Sequence, residues 1–129
     1  MLLPPVDRVS DYVAHSFTHG GYANVLHHYL DAPVHEYVLD FACREMRDVD
    51  VLKRLPKDKH VAAGVVDVRS LEVEAPEQIA ERIRRVLEHV PADRVVLTTD
   101  CGMKQLPRYC AFHKLRSLAE AAKLVRAEL

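Results

Sequence analysis

The chain has 129 residues, enough for one domain with a sizeable core, and 49% of them are apolar. Charge is almost balanced, 18 Lys and Arg against 19 Asp and Glu, so the basic surplus that marks a nucleic-acid partner is missing. No apolar run approaches the roughly 18 residues of a membrane span.

The start, Met1-Leu2-Leu3-Pro4-Pro5-Val6-Asp7-Arg8, has neither the basic region nor the long apolar stretch of a signal peptide. Three cysteines, Cys43, Cys101 and Cys110, form an odd set without a disulfide framework. The expectation is a cytoplasmic protein with reduced thiols and no membrane partner.

Taken in chain order, Tyr12 to Phe17 reads as a weak first strand that ends before Gly20-Gly21. Tyr22 to Leu30 reads as a helix, with Tyr22, Leu26 and Tyr29 or Leu30 on one face. Glu36 to Ala42 is a stronger strand, and a short helix through Val49, Leu52 and Leu55 ends before Pro56. His60 to Val68 is a nearly continuous apolar run, the pattern of a strand covered on both faces. Pro76 suits the first position of a helix, with Glu77 in the first turn and Ile79, Ile83, Val86, Leu87 and Val90 at helical spacing. Arg94 to Thr99 is the last strand. Phe112, Leu115, Leu118, Ala122 and Val125 mark the apolar face of a final helix. The run Glu81-Arg82-Ile83-Arg84-Arg85 reads as a solvated helix face.

This alternation is roughly (βα)4 and implies an α/β fold with a parallel sheet and right-handed crossovers. A complete (β/α)8 barrel takes about 250 residues. The expectation is therefore a single domain over 1–129, half of a TIM barrel or a small open sheet, whose bare parallel edges call for another chain or a second copy.

Three strands end in chemically useful groups: Asp40 after Val38-Leu39, Asp67 after Val65-Val66, and Asp100-Cys101 after Leu97-Thr98-Thr99. In a parallel sheet these ends share one rim, where ligands bind. A carboxylate and a thiolate together suit zinc better than magnesium or calcium. Two ligands are too few, and His15 or His19 would complete the set. Cys43 and Cys110 read as small core fillers, Asp67 as a group that caps Ser70 or holds Arg69, and His27-His28 as surface or packing residues.

Three segments resemble a known family. They are Gly64-Val65-Val66-Asp67-Val68-Arg69-Ser70-Leu71-Glu72-Val73-Glu74, Pro76 to Ile83, and Thr98-Thr99-Asp100-Cys101-Gly102-Met103-Lys104. They are similar to the C-terminal catalytic barrel of the cobalamin-independent methionine synthases, and the likeness runs on through Lys114 to Lys123.

The resemblance implies a TIM barrel in which zinc lowers the pKa of a homocysteine thiol, and the thiolate takes a methyl group from a methylated folate. It implies zinc held by a His-x-Cys pair, a Glu at a later strand end and the Cys of Asp-Cys-Gly. Cys101 matches the last, and Asp40 stands where the family has its Glu, one methylene shorter. If His15 matches the family histidine, Phe17 stands where the thiolate belongs. Arg69 occupies the place of a histidine that donates a proton.

The candidate metal ligands are thus Cys101, Asp40 and His15, with no catalytic residue assigned. The implied partners are a homocysteine-like thiol, a methyl donor (folate or corrinoid), and an N-terminal half-barrel chain or a second copy. Three readings follow: a methyltransferase half inactive without its complement, a self-pairing half-barrel that binds a ligand or metal, or a degenerate remnant.

Overall fold

A computed structural model of the chain describes residues 21–129. The first candidate strand, Tyr12 to Phe17, lies outside the described residues, as do His15 and His19. The chain divides into two compact units, residues 1–32 and 33–129.

In the first unit the helix expected through Tyr22 to Leu30 is replaced by two short 3-10 turns, Tyr22–Asn24 and Leu26–His28. Each closes with a three-residue bond, from the Val25 N–H to the Tyr22 carbonyl and from the Tyr29 N–H to the Leu26 carbonyl. Val25, β-branched and between them, has φ −112°. That is far from the α value near −63°, so the helical ladder does not propagate.

The second unit holds three parallel strands, β1 (Glu36–Asp40), β2 (His60–Val66) and β3 (Val95–Thr99), in that spatial order. Its two α-helices are α1 (Pro76–Leu87) and α2 (Arg108–Arg126). The central position of β2 explains its unbroken apolar run: residues Val61 to Val66 are all buried. The strand expected from His60 to Val68 stops at Val66. The one expected from Glu36 to Ala42 stops at Asp40, where the chain enters a 3-10 turn at Ala42–Arg44. The short helix near Val49 is also 3-10, Val49–Arg54, and it yields to extended backbone at Leu55, as the residue before a proline must. The described chain thus contains three strands and two α-helices of the expected four βα units.

α1 starts with Pro76, and the Gln78 side-chain oxygen accepts the Ala75 N–H at 2.8 Å, which secures the entry turn. α1 packs on β2 and α2 packs on α1. The buried face of α2 is Cys110, Lys114, Ser117, Ala121, Ala122 and Val125, the last two as expected. Phe112 and Leu115, expected inside, are exposed. Small side chains on the inner face let the helix approach closely, and the lysine goes inside because a carboxylate waits for it.

Tyr37, Leu39, Val61, Ala63 and Val65 are buried on one face of the sheet. On the other, Val38, Ala62 and Val96 stand in one row across the three strands, and the two valines are 65% and 45% exposed. The next row, toward the strand ends, is Asp40, Gly64 and Thr98. One turn further the register shifts between Gly64 and Val66, a bulge in β2 beside the rim.

Candidate functional site at the strand ends

The C-terminal ends of β1, β2 and β3 carry Asp40, Asp67 and Asp100-Cys101, as the sequence suggested. What joins them is Asp100. Its carboxylate is buried and accepts three backbone N–H groups from the turn after β1: Phe41 at 3.2 Å and Ala42 at 3.1 Å on Oδ1, and Cys43 at 2.6 Å on Oδ2.

To reach that turn from β3, the side chain must pass over β2, and Gly64 makes the passage. A Cβ placed on Gly64 would lie 2.9 Å from the Asp100 Cα and 3.2 Å from the Asp40 Cα, and closer still to Asp100 Oδ1. Both neighbouring backbones crowd the same point, so no side chain larger than hydrogen fits there without a shift.

The same turn is held from outside. Arg69 donates to the Cys43 carbonyl at 2.8 Å, and the Arg69 N–H donates to Asp67 Oδ1 at 2.8 Å. Asp67 therefore orders Arg69 locally, as expected. The Asp67 N–H in turn donates to Glu74 Oε1 at 2.8 Å.

Glu74 lies in a buried cluster: Lys114 Nζ is 2.7 Å from Oε2, and an Arg82 guanidinium nitrogen is 3.0 Å from Oε1 and 2.8 Å from the Val65 carbonyl. Lys114 also donates to the Glu72 carbonyl, and the Cys110 thiol to the Leu71 carbonyl at 3.3 Å. Loop 67–75 is thereby pinned to both helices. Arg82 is thus no mere solvated side chain, and neither is Arg85, which donates to the Met46 carbonyl at 3.1 Å. Arg84 keeps the expected surface role, paired with Glu128 and Glu81.

Electrostatics separate the rim carboxylates from Glu74. Burial raises the Asp40 pKa to about 6, helped by the Asp100 charge and opposed by Arg69. Burial also raises Asp100 above its ordinary value, against the pull of the amides that it accepts. Burial and the neighbouring Asp100 carboxylate push the Cys43 thiol up to about 12, so it stays protonated at neutral pH. Cys43 is a partly buried rim residue and not the core filler expected, whereas Cys110 is fully buried as expected. Cys101 is exposed, and the Thr99 hydroxyl donates to its carbonyl at 2.8 Å.

Among the described residues, no three His, Cys, Asp or Glu side chains gather closely enough to hold a metal ion. A catalytic zinc takes three protein ligands, so the donors among the described residues do not by themselves fit zinc. Each histidine before residue 20 lacks a cysteine two places on, with Phe17 after His15 and Gly21 after His19.

Sequence reasoning missed Asp100 as an organiser, Cys43 as a rim thiol, and the Glu74–Lys114–Arg82 cluster. A glycine inside an apolar strand run was the available signal for the first, since it often marks a close approach.

Comparison with known proteins agrees with this architecture. The chain is similar to the methionine synthase of Pyrococcus horikoshii, 42% identical over 96 residues that make up 74% of this chain and 28% of the relative. It is similar to the methionine synthase of Thermococcus kodakarensis, 39% identical over 99 residues, 77% of this chain and 29% of the relative. A 2-hydroxypropyl-CoM lyase of Xanthobacter autotrophicus is 48% identical over 87 residues, 66% of this chain and 23% of the relative.

Among solved structures, a B12-independent methionine synthase from Shewanella in complex with selenomethionine superposes with a TM-score of 0.77 at 27% identity. The match covers 83% of this chain and 31% of that one. The chain spans less than one third of the length of these relatives. The fold is thus α/β, part of a TIM barrel, and the model of the cobalamin-independent synthase catalytic domain matches residues 17–124, a segment that includes His19 but not His15. With that match and these relatives, the chain belongs to the cobalamin-independent synthase catalytic domain family.

Proposed function

We propose that the rim of this chain forms part of a methyl-transfer site of the methionine-synthase kind, in which a homocysteine-like thiol accepts a methyl group from a folate or corrinoid donor. The observation that carries this reading is the meeting of the β1 and β3 ends over Gly64, which brings the Asp40 and Cys101 segments to one mouth. The family membership supports it. The likeness to a 2-hydroxypropyl-CoM lyase widens the acceptor class to thiols other than homocysteine.

In this reading Cys101 and Asp40 are two ligands of a zinc site, and His15 supplies the third, with His19 as its alternate. Other strands complete the barrel, from another chain or from a second copy. The exposed Val38 and Val96 on the sheet and Phe112 and Leu115 on α2 suit such a cover, because apolar groups of that size gain about 1.5–3 kcal/mol each on full burial.

Zinc content of the purified, tag-free chain tests the ligand set. Near one equivalent, lost in Cys101→Ser, supports it, and a metal-free chain removes zinc from the reading. The chain alone should give no methyl transfer from methylfolate to homocysteine, and turnover without a partner would show that no complement is needed.

A further inference from the structure

We propose that Asp100 is the positioning residue of the rim: its carboxylate, crossing β2 over Gly64, locks the turn after Asp40 to the turn that carries Cys101 and so sets the spacing of those two side chains. The inference rests on the reading above only for the use to which that spacing is put. Three backbone N–H groups converge on one carboxylate, and two of them share a single oxygen. All three belong to the residues directly after Asp40. Cys101 is the residue directly after Asp100. Neither Asp100 nor the backbone of residues 41–43 can shift without breaking these bonds. Arg69, on the Cys43 carbonyl, closes the same turn from the solvent side. Gly64 is the only residue type that leaves the carboxylate its path.

The test uses the full chain and reads the spacing itself. Amide exchange is measured first on the unaltered protein: the N–H groups of Ala42 and Cys43 should exchange at least 100-fold more slowly than those of the exposed Cys101 and Gly102, whereas Phe41, which also donates to the Gly64 carbonyl at 3.1 Å, is left out of the comparison. Equal rates would overturn the proposal without any variant being made. Bridging is measured next, in an Asp40→Cys/Cys43→Ser chain treated with dibromobimane, which fluoresces when it links two neighbouring thiols. The introduced thiol and Cys101 should bridge readily. Adding Asp100→Asn, which keeps the shape but turns an N–H toward the Cys43 amide, should slow bridging at least tenfold while circular dichroism stays native. Unchanged bridging in a folded Asp100→Asn chain would overturn the proposal. If that chain does not fold, Arg69→Ala takes its place, with a two- to fivefold slowing expected and no slowing counting against the lock. Slowed bridging in a chain that binds no zinc would uphold the lock while the metal reading fell. Zinc binding with bridging indifferent to Asp100 would do the reverse.

Discussion

Two buried carboxylates, Asp100 and Glu74, lie within one unit of this protein and are solvated in opposite ways. Glu74 meets cations: Lys114, itself fully buried, and Arg82. Burial pushes its pKa up, but Lys114, the Asp67 amide and Arg82 outweigh that and hold it below the ordinary value. Asp100 meets backbone N–H groups, and there burial prevails and the pKa rises. Dipoles fix a carboxylate in place without cancelling its charge, whereas ammonium and guanidinium groups do both. The first arrangement leaves negative charge at the mouth of the strands, where an incoming cation or proton would meet it. The second neutralises the carboxylate itself and serves to hold a loop.

The comparison is broken most severely by removing the buried cation. Lys114→Met should cost about 3 kcal/mol or more, because Glu74 keeps only one of its two cations and remains buried. The fall in urea midpoint measures it, and a loss below about 1 kcal/mol would mean that Arg82 suffices. Asp100→Asn should cost less, about 2 kcal/mol for weakened bonds to a charged acceptor. Gly64→Ala should cost a similar amount through overpacking, about 1–3 kcal/mol. If both act on one contact, the double variant costs clearly less than the two effects added.

The pH dependence sharpens the contrast. Asp40 takes up its proton at about pH 6 when folded, against 3.8 ordinarily. Between those values the folded chain binds more protons than the unfolded one, so stability falls as pH rises from about 4 to about 6. Asp100 acts in the same direction. Glu74 acts in the opposite one: its contribution is present above its unfolded value and is lost as pH falls through its lower folded value. A urea midpoint that rises on going down from pH 6.5 to 5, and then falls below pH 4, is the expected profile. Asp40→Asn should flatten the first limb and leave the second. The smallest effect is expected from Cys101→Ser, where an exposed thiol becomes a hydroxyl of similar size, and thermal melting should superpose on the unaltered chain.

Much of this was legible in the residues. The apolar run around Gly64, the Pro76 entry and the Asp-Cys-Gly segment placed two of the three described strands, the first α-helix and the rim. Failures came where a long-range partner overrides a local pattern. The outward turn of Phe112 and Leu115 could not be foreseen, because the inward face of α2 was chosen by Glu74, 40 residues before Lys114. The solvated reading of Arg82 failed for the same reason. The helix expected at Tyr22 to Leu30 failed locally, at a β-branched Val25 whose backbone departs from helical angles. Asp100 and Cys101 were both seen, but attention went to the sulfur. A thiol advertises chemistry from sequence alone, whereas the partners of a carboxylate are fixed only when three strands are aligned.

The bonds of Asp100 span 57 to 59 positions of the chain. They cannot form until β1 and β3 have both docked against β2, and contacts of that reach come late when a chain orders itself. A lesion at Asp100 should therefore leave the refolding rate almost unaltered and speed unfolding instead. The clasp at the mouth of the strands would then act as a kinetic lock, setting how long the assembled sheet persists more than how quickly it is made.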